Sequence, residues 1–365
     1  MKLFIAVDAP GPAEFIAPVV SLLQKEFAVS LCAIMEPPAK ILAPFRPLRA
    51  DTDEIGEAAW RAAAPDAFLV GTSSLVKGPY VIKKITALAH ATKKPIICFQ
   101  DFWANHRWPM NKEMMPFWDA VLVPDALAKQ LLEEDGYSGE IFITGNPAFD
   151  ALESIDVLRE RVRLRAQFNI PENEFVILYA GTGTPQSAKE DELTFRFLAD
   201  GIRAVSRAGF SVKLIARPHP RDINPQRYHE YAPDLSFIDT AKLPLAETAL
   251  PLADVVISMY GTNLIHACFL RIPAISILLP NAGRARLAAI HLDDFPLNMT
   301  GATIGVYTAA LPAFVEILEK IIRDPDYRAR IRKAQDAALP PHSSRANSAR
   351  AVAEAIKSFL AASRR

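Results

Sequence analysis

Arg217-Pro218-His219-Pro220 is a short segment whose residue types could bind an anion or move a proton. The two prolines restrict the backbone, so the arginine and the histidine are held with little conformational searching. Arginine can pair bidentately with a phosphate, and histidine can donate a hydrogen bond to one or transfer a proton near neutral pH. We therefore interpret Arg217 as a phosphate ligand and His219 as a candidate catalytic group, the alternative being that His219 only caps a strand.

A second polar segment, Gln100 to Trp108, collects a carboxylate, an imidazole, a guanidinium and two indoles. Asp101 is a candidate general base, and the indole of Trp103 could stack on the apolar face of a sugar or a base. Side chains able to hydrogen-bond hydroxyl groups follow in the same segment: Asn105, His106 and Arg107. The alternative is a loop that packs against its own domain, with Asp101 paired to Arg107.

Two segments rich in small residues complete the candidates. Gly181-Thr182-Gly183-Thr184 offers flexible backbone N–H groups and two hydroxyls, although it matches neither a Walker loop nor a full dinucleotide fingerprint. Ser258 to Asn263 contains Tyr260 and Gly261 and precedes a predicted helix that Thr262 or Asn263 could cap. Unpaired N–H groups at such a helix start suit phosphate. An ordinary turn is the alternative for both segments.

Short apolar runs alternate with segments of helical periodicity along the chain, a pattern typical of parallel sheets covered by helices. The strand Leu3–Val7 is followed by a predicted turn at Asp8–Pro12 and a helix from Phe15 to Phe27, and the alternation restarts at Phe175–Ala180. The sequence predicts two doubly wound α/β domains, residues 1–150 and 151–340, and a helix within 341–365 that packs back on the first. The polar segments follow strands, where open α/β sheets bind ligands. Further candidates at first-domain strand ends are Asp8, Glu14, Thr72, Ser73 and Glu113.

Composition excludes several classes of function. Of the 365 residues, 41 are Lys or Arg and 41 are Asp or Glu, so no net field attracts nucleic acid or an anionic membrane. The three cysteines have no metal-ligand spacing, and no metal site is predicted. No apolar run reaches the roughly 18–20 residues of a membrane span. We expect a cytoplasmic protein without a membrane span.

Several of these segments resemble the two-domain GT-B superfamily, in particular nucleotide-sugar glycosyltransferases and non-hydrolysing UDP-N-acetylglucosamine 2-epimerases. Residues Ile143 to Asp150 (ITGNPAFD) are similar to the domain-crossover segment, and Asp254 to Pro273 is similar to the segment that holds the donor pyrophosphate and ribose. Arg217 to Pro220 resembles the family's HP loop. Two departures occur in the donor segment, because Tyr260 stands where the family has serine and His266 where it has a ribose-binding glutamate. Around Asp101 only an acid and an arginine match the epimerases' loop.

The resemblance implies two Rossmann-like domains facing across a cleft, and a glycosyltransferase that moves a sugar from a nucleotide-diphosphate donor such as a UDP-sugar to a hydroxyl acceptor. The reaction would need no metal or cofactor and would serve surface glycan synthesis. Asp101, Asp8 and His219 would be catalytic. The donor would contact Gly181, Thr182, Gly183, Thr184, Arg217, Ser258, Tyr260, Gly261, Thr262, Asn263 and His266. The acceptor would contact Glu14, Thr72, Ser73, Trp103, Asn105, His106, Arg107 and Glu113.

Two other functions are compatible with the same fold. One is a nucleotide-sugar 2-epimerase or hydrolase, with Asp101, Glu113 and His219 moving protons. The other is a non-catalytic protein that binds a glycan or a partner, which the departures at Tyr260 and His266 favour. A homodimer is compatible with each of the three.

Overall fold

The computed structural model describes residues 1–73, 80–182, 187–219, 222, 224–234, 236–237, 249–339 and 347–363. The chain divides into two compact units. Unit 1 comprises Met1–Ala151 and Arg345–Arg365, and unit 2 comprises Leu152–Ser344.

The strands alternate with helices along both units. In chain order the strands are β1 Lys2–Val7, β2 Ala28–Ala33, β3 Leu48–Arg49, β4 Ala67–Gly71, β5 Ile96–Phe99, β6 Ala120–Val123, β7 Glu140–Ile143, β8 Phe175–Ala180, β9 Val212–Arg217, β10 Ser236–Phe237, β11 Val255–Ser258, β12 Ala274–Ile277 and β13 Ile304–Val306. The helices are α1 Pro10–Leu23, α2 Glu36–Ile41, α3 Asp53–Ala63, α4 Val81–Ala91, α5 Pro109–Met114, α6 Ala126–Glu134, α7 Val157–Gln167, α8 Ala188–Arg207, α9 Arg227–Tyr231, α10 Thr262–Phe269, α11 Arg284–Ala288, α12 Pro296–Met299, α13 Leu311–Arg323, α14 Pro325–Ala338 and α15 Ser348–Ala362.

Unit 1 contains a parallel sheet in the order β3-β2-β1-β4-β5-β6-β7. Its central strands are continuous apolar runs because helices cover both faces, and residues such as Ile5, Leu69 and Ile97 are fully buried. The strand order reverses direction between β1 and β4, so ligands are expected outside the carboxyl ends of these two strands.

Unit 2 repeats this plan with a second parallel sheet in the order β10-β9-β8-β11-β12-β13. Buried residues from β8, β11 and β12, among them Ile177, Ile257 and Ile275, pack in one core with Phe195 of α8 and Phe314 of α13. The reversal lies between β8 and β11. The predicted fold class, two α/β units each built on a doubly wound parallel sheet, is confirmed.

The C-terminal helix α15 packs on unit 1. Val352, Ile356 and Leu360 are buried in the same core as β1 and α1. The start of the helix is held by the segment that resembles the family's domain crossover, since a carboxylate oxygen of Asp150 accepts a hydrogen bond from the backbone N–H of Ala349 at 3.1 Å. That segment therefore has a structural role within unit 1.

Asp254, the acidic residue that precedes β11, has a structural role in unit 2. Its carboxylate accepts hydrogen bonds from Arg161, from Arg165 (2.7 Å) and from the backbone N–H of Val176 (2.8 Å). Arg165 is 5% exposed and also donates to three backbone carbonyls near the start of β8. These partly buried ion pairs hold α7 against the amino ends of β8 and β11.

The first helix begins earlier than the sequence predicts. Residues Asp8 to Pro12 were expected to form a turn, yet α1 starts at Pro10. Proline is well tolerated in the first turn of a helix because its fixed φ is helical and its missing N–H would have no intrahelical partner there. Within the described ranges, no helix is both long and apolar enough to span a membrane.

Candidate active site

Asp8, Thr72 and Asp101 lie together at the reversal point of the unit 1 sheet. They follow the neighbouring strands β1, β4 and β5, whose carboxyl ends share one edge. The Thr72 hydroxyl donates to Oδ1 of Asp101 at 3.0 Å, and the side-chain amide of Asn105 donates to the same oxygen at 2.7 Å. Four residues predicted from sequence to contact substrate are thus brought into one cluster, which we call the unit 1 carboxylate site.

Asp8 is the most unusual side chain of the unit 1 carboxylate site. It is 2% exposed, and no residue in the described part of the chain donates a well-formed hydrogen bond to either carboxylate oxygen. Burial raises the pKa of this carboxyl to about 7. The nearby Ser73 hydroxyl and the backbone oppose the rise in pKa, and the negative charge of Asp101 adds to it. Asp8 therefore exchanges its proton near neutral pH.

Asp101 is held more firmly than Asp8. Burial raises its pKa, and the hydrogen bonds from Thr72, the backbone and Asn105 oppose that rise because they stabilise the charged form. Its second carboxylate oxygen lies against the first turn of α1, where a Cβ added to Gly11 would clash with Oδ2 and lie 3.0 Å from Cγ. The cluster thus contains one deeply buried carboxyl beside a second carboxylate that accepts hydrogen bonds from Thr72 and Asn105.

Two asparagines that the sequence analysis did not select fix the backbone of this site. The amide of Asn146 donates to the backbone carbonyl of Asp101 at 3.2 Å. Asn111, which is fully buried, accepts from the N–H of Ser73 (2.8 Å) and donates to the carbonyls of Ser73 (2.9 Å) and Asn105 (2.5 Å). Asn146 belongs to the crossover-like segment and could have been found from it, whereas nothing in the sequence marks Asn111.

Three residues of the Gln100–Trp108 segment contact carboxylates outside the unit 1 carboxylate site. The indole N–H of Trp103 donates to Asp125 at 2.6 Å, and this indole is buried. His106, which is 1% exposed, lies between the side chains of Gln100 (3.1 Å) and Asp135 (2.7 Å).

Arg107 also pairs with Asp135, so the expected alternative pairing with Asp101 is wrong. Burial lowers the pKa of His106, against the influence of Asp135. Trp103, His106 and Arg107 therefore anchor the loop to α6 and its two ends.

Glu14 and Glu113 are two predicted acceptor-side residues on helices of unit 1. Glu14 is exposed on α1. Glu113 is exposed on α5 and forms an ion pair with Lys83 of α4.

The corresponding edge of unit 2 carries most of the predicted donor-binding residues. Gly181 and Thr182 follow β8, and Arg217 and His219 come from the end of β9. The N–H of Gly181 donates to the backbone carbonyl of Arg217 at 2.9 Å, which joins the two loops. Arg217 is 3% exposed and His219 is half-buried. Gly183 and Thr184 lie outside the described residues.

The segment after β11 forms the start of α10. Gly261 is the N-cap residue with φ +114°, and no side chain caps the helix, so the expectation that Thr262 or Asn263 would cap it is wrong. Thr262 is exposed and Asn263 is half-buried. The Ser258 hydroxyl donates to the carbonyl of Ala180 at 2.7 Å and thus joins β11 to β8.

Tyr260 and His266 are the two departures from the family pattern. Tyr260 packs against the unit 2 core. Burial lowers the pKa of His266 to about 4, so its imidazole is neutral at pH 7. A neutral imidazole can accept one hydrogen bond, in contrast to the two that a carboxylate can accept from a ribose. Within the described structure, no three His, Cys, Asp or Glu residues are grouped as a metal site would require.

No protein-family model matches this sequence, and no curated protein matches it. Solved structures do resemble the chain. The UDP-GlcNAc 2-epimerase from Neisseria meningitidis, bound to UDP-GlcNAc, is 16% identical with a TM-score of 0.67, over 98% of this chain and 100% of that one. The UDP-N-acetylglucosamine 2-epimerase from Rickettsia bellii is 15% identical with a TM-score of 0.65, over 99% and 96%. The wall teichoic acid polymerase TagF is 14% identical with a TM-score of 0.63, over 99% and 89%.

These likenesses define the fold. The chain has the GT-B fold that the 2-epimerases and the teichoic acid polymerase share, in agreement with the resemblance noted in the sequence. At 14–16% identity they carry no assignment of substrate or reaction to this chain.

Proposed function

We propose that this protein acts on a nucleotide-diphosphate sugar by moving a proton on the sugar, as a 2-epimerase or a hydrolase. The observation that carries the proposal is the pair formed by Asp8 and Asp101 at the reversal point of the unit 1 sheet. The structural likeness to UDP-GlcNAc 2-epimerases supports it over glycosyl transfer, which the sequence analysis placed first.

The chemistry of inversion needs both a proton acceptor and a proton donor. A carbon that changes configuration loses a proton on one face and receives one on the other, so a base and an acid serve best as two separate groups. Asp101, whose Oδ1 accepts hydrogen bonds from Thr72 and Asn105, would supply the base. Asp8, with a pKa of about 7, supplies a carboxylic acid that is still partly protonated at neutral pH. In hydrolysis the base would take a proton from the water that attacks the sugar, and the acid would protonate the oxygen of the leaving diphosphate.

Binding of the nucleotide diphosphate belongs in this proposal to unit 2. The first turn of α10 presents backbone N–H groups at the carboxyl end of β11, where the helix dipole favours an anion. Arg217, the last residue of β9, would add a guanidinium. His266, being neutral, would hydrogen-bond a ribose hydroxyl without adding charge.

Glycosyl transfer remains the second candidate because TagF shares the fold. A transfer reaction needs one base to deprotonate the acceptor hydroxyl, and Asp101 alone would suffice. Glycosyl transfer gives no role to a second carboxyl that is half protonated at neutral pH. For this reason we place glycosyl transfer second.

Incubation with UDP-N-acetylglucosamine in D2O, followed by proton NMR, tests the proposal. Epimerisation would produce the 2-epimer with deuterium at carbon 2, and hydrolysis would release UDP and free sugar without an acceptor. Asp8→Asn and Asp101→Asn are both expected to lower either reaction by at least about a hundredfold.

Asp119→Asn is the matched control for these two variants. Its carboxylate accepts a hydrogen bond from the N–H of Ile96 at 2.8 Å, at the amino end of β5 and opposite to Asp101. This variant is expected to keep the activity of the wild type. UDP release that occurs only after a hydroxyl acceptor is added would overturn the proposal in favour of transfer. No reaction with any of UDP-, CDP-, GDP- or dTDP-sugars would favour the non-catalytic interpretation.

A further inference from the structure

Asp191, in the first turn of α8, is a buried carboxylate with an unusually complete set of donors. It is fully buried, and Oδ1 accepts from the Tyr179 hydroxyl (2.8 Å), from the N–H of Thr182 (2.7 Å) and from the Thr182 hydroxyl (3.2 Å). Burying a carboxylate is costly unless its oxygens are hydrogen-bonded or paired with a cation. Oδ1 thus accepts two of its three hydrogen bonds from Thr182, the second residue after β8.

The other carboxylate oxygen of Asp191 is connected through Arg227 to Asp222, which follows β9. Oδ2 accepts from the Tyr228 hydroxyl and from Nη2 of Arg227 at 2.7 Å. The same guanidinium nitrogen is 2.9 Å from Oδ2 of Asp222, whose side chain is 1% exposed. The backbone N–H of Asp222 in turn donates to the carbonyl of His219 at 2.9 Å. Arg227 therefore bridges two buried carboxylates, one for each loop.

Tyr228 adds a steric contact to this arrangement. A Cβ added to Gly181 would clash with the Tyr228 hydroxyl and lie 3.3 Å from Cζ of the ring. The backbone of Gly181 can approach Tyr228 only because it carries no side chain. Gly181, Thr182 and His219 are thus all positioned by groups that belong to, or bond with, the short helix α9.

We propose that Asp191, Arg227 and Asp222 form a positioning network that holds Gly181, Thr182 and His219, which follow β8 and β9, where they can bind the diphosphate. The inference rests on the proposed function for the identity of the ligand. The linkage of the two loops through Arg227 does not depend on that function.

Arg227→Met and Arg227→Lys are the variants that test the network. Methionine removes the charge and the donors, whereas lysine keeps the charge and one donor nitrogen on a side chain of different shape. Arg165→Met is the matched control, because it removes another buried arginine, which pairs with the partly exposed Asp254 at the amino ends of β8 and β11. Both methionine variants are expected to lower the melting temperature.

Amide hydrogen exchange provides the readout that needs no ligand. In Arg227→Met the amides of Thr182 and Asp222 are expected to exchange at least tenfold faster relative to the amides of β8 and β9. In Arg165→Met that ratio is expected to stay within twofold of the wild type. Equal ratios in the two variants would show that the network is only part of the general core and would overturn the inference.

Titration calorimetry with UDP, CDP, GDP and ADP gives the second readout. For the nucleotide that binds best, the Kd is expected to rise at least tenfold in Arg227→Met, to recover in part in Arg227→Lys, and to stay within twofold in Arg165→Met. A Kd that is unchanged in Arg227→Met would refute positioning for the diphosphate. If the wild type binds none of the four while the exchange ratios follow the expectation, the proposed function fails and the linkage of the loops stands.

Discussion

The carboxylate of Asp101 occupies the space that a side chain at position 11 would need, so Asp101 and Gly11 fit together only because residue 11 is glycine. Gly11 lies in the first turn of α1 between two prolines, which have no N–H. The start of the helix therefore shapes one wall of the unit 1 carboxylate site and limits where Oδ2 of Asp101 can lie.

Gly11→Ala should displace the Asp101 carboxylate while leaving the unit folded. Since small misplacements of a reacting group can cost a hundredfold in rate, turnover is expected to fall by about tenfold to a hundredfold. Gly56→Ala is the control, because a Cβ there would clash with Val81 between α3 and α4. That variant should lower the melting temperature and keep the turnover per folded molecule. Equal turnover in both variants would show that Gly11 has no special relation to Asp101.

Asp8→Asn should change how stability depends on pH. The folded-state pKa of Asp8 is about 7, above the ordinary 3.8, so between these values the folded state holds a proton that the unfolded state has released. The wild type therefore loses stability as pH rises through this window, by about 4 kcal/mol in all from this group. Asparagine removes that loss, and the variant should be more stable than the wild type at pH 8 and inactive. Urea unfolding at pH 5 and pH 8 measures the difference.

The same titration predicts the alkaline limb of the activity profile. If Asp8 acts as the acid, kcat/KM should fall as pH rises through about 7, because the protonated form is lost. A profile that stays flat from pH 6 to 9 would remove Asp8 from the role of acid, even if Asp8→Asn proved inactive.

Asn111→Ala should destabilise unit 1 and disturb the carboxylate site together. The substitution leaves the N–H and the carbonyl of Ser73 and the carbonyl of Asn105 without their amide partner. Unsatisfied buried backbone groups cost about 1–3 kcal/mol each, so a loss of about 2–4 kcal/mol is expected in urea unfolding after partial relaxation. Gln130→Ala, on the exposed face of α6, should change stability by less than about 0.5 kcal/mol. If Asn111→Ala left the free energy of unfolding unchanged, water would have replaced the hydrogen bonds of the side-chain amide.

The fold could be predicted from the sequence because its signal is local. Each central strand is a short apolar run, and the parallel arrangement places the residues after those strands at one edge, which brought Asp8, Thr72 and Asp101 into the candidate site. The start of α1 was missed because Pro10 and Pro12 are as typical of a turn as of a first helical turn.

The side-chain partners within the site could not be predicted. Trp103 and Arg107 were assigned to substrate because their residue types suit it. Their partners Asp125 and Asp135 lie more than twenty residues further along the chain, and nothing in the sequence indicates these contacts. Asp191 and Arg227 are likewise 36 residues apart. A single sequence contains no signal that pairs such residues, because the pairing arises only when helices and loops pack together.

His266→Gln should remove a loss of stability at acidic pH, a loss that the titration of Asp8 partly offsets in the wild type. Burial lowers the folded-state pKa of His266 to about 4, whereas the unfolded value is near 6.5. Stability from this group is therefore complete above pH 6.5 and falls as pH drops toward 4, by at most about 3 kcal/mol. Asp8 acts in the opposite direction over nearly the same window, so the wild type should show a shallow pH dependence of stability between pH 4.5 and 6.5.

Urea unfolding of Asp8→Asn should reveal the loss of stability that comes from His266, and Asp8→Asn combined with His266→Gln should abolish that loss. A steep acid loss that persists in the double variant would place its origin in other groups.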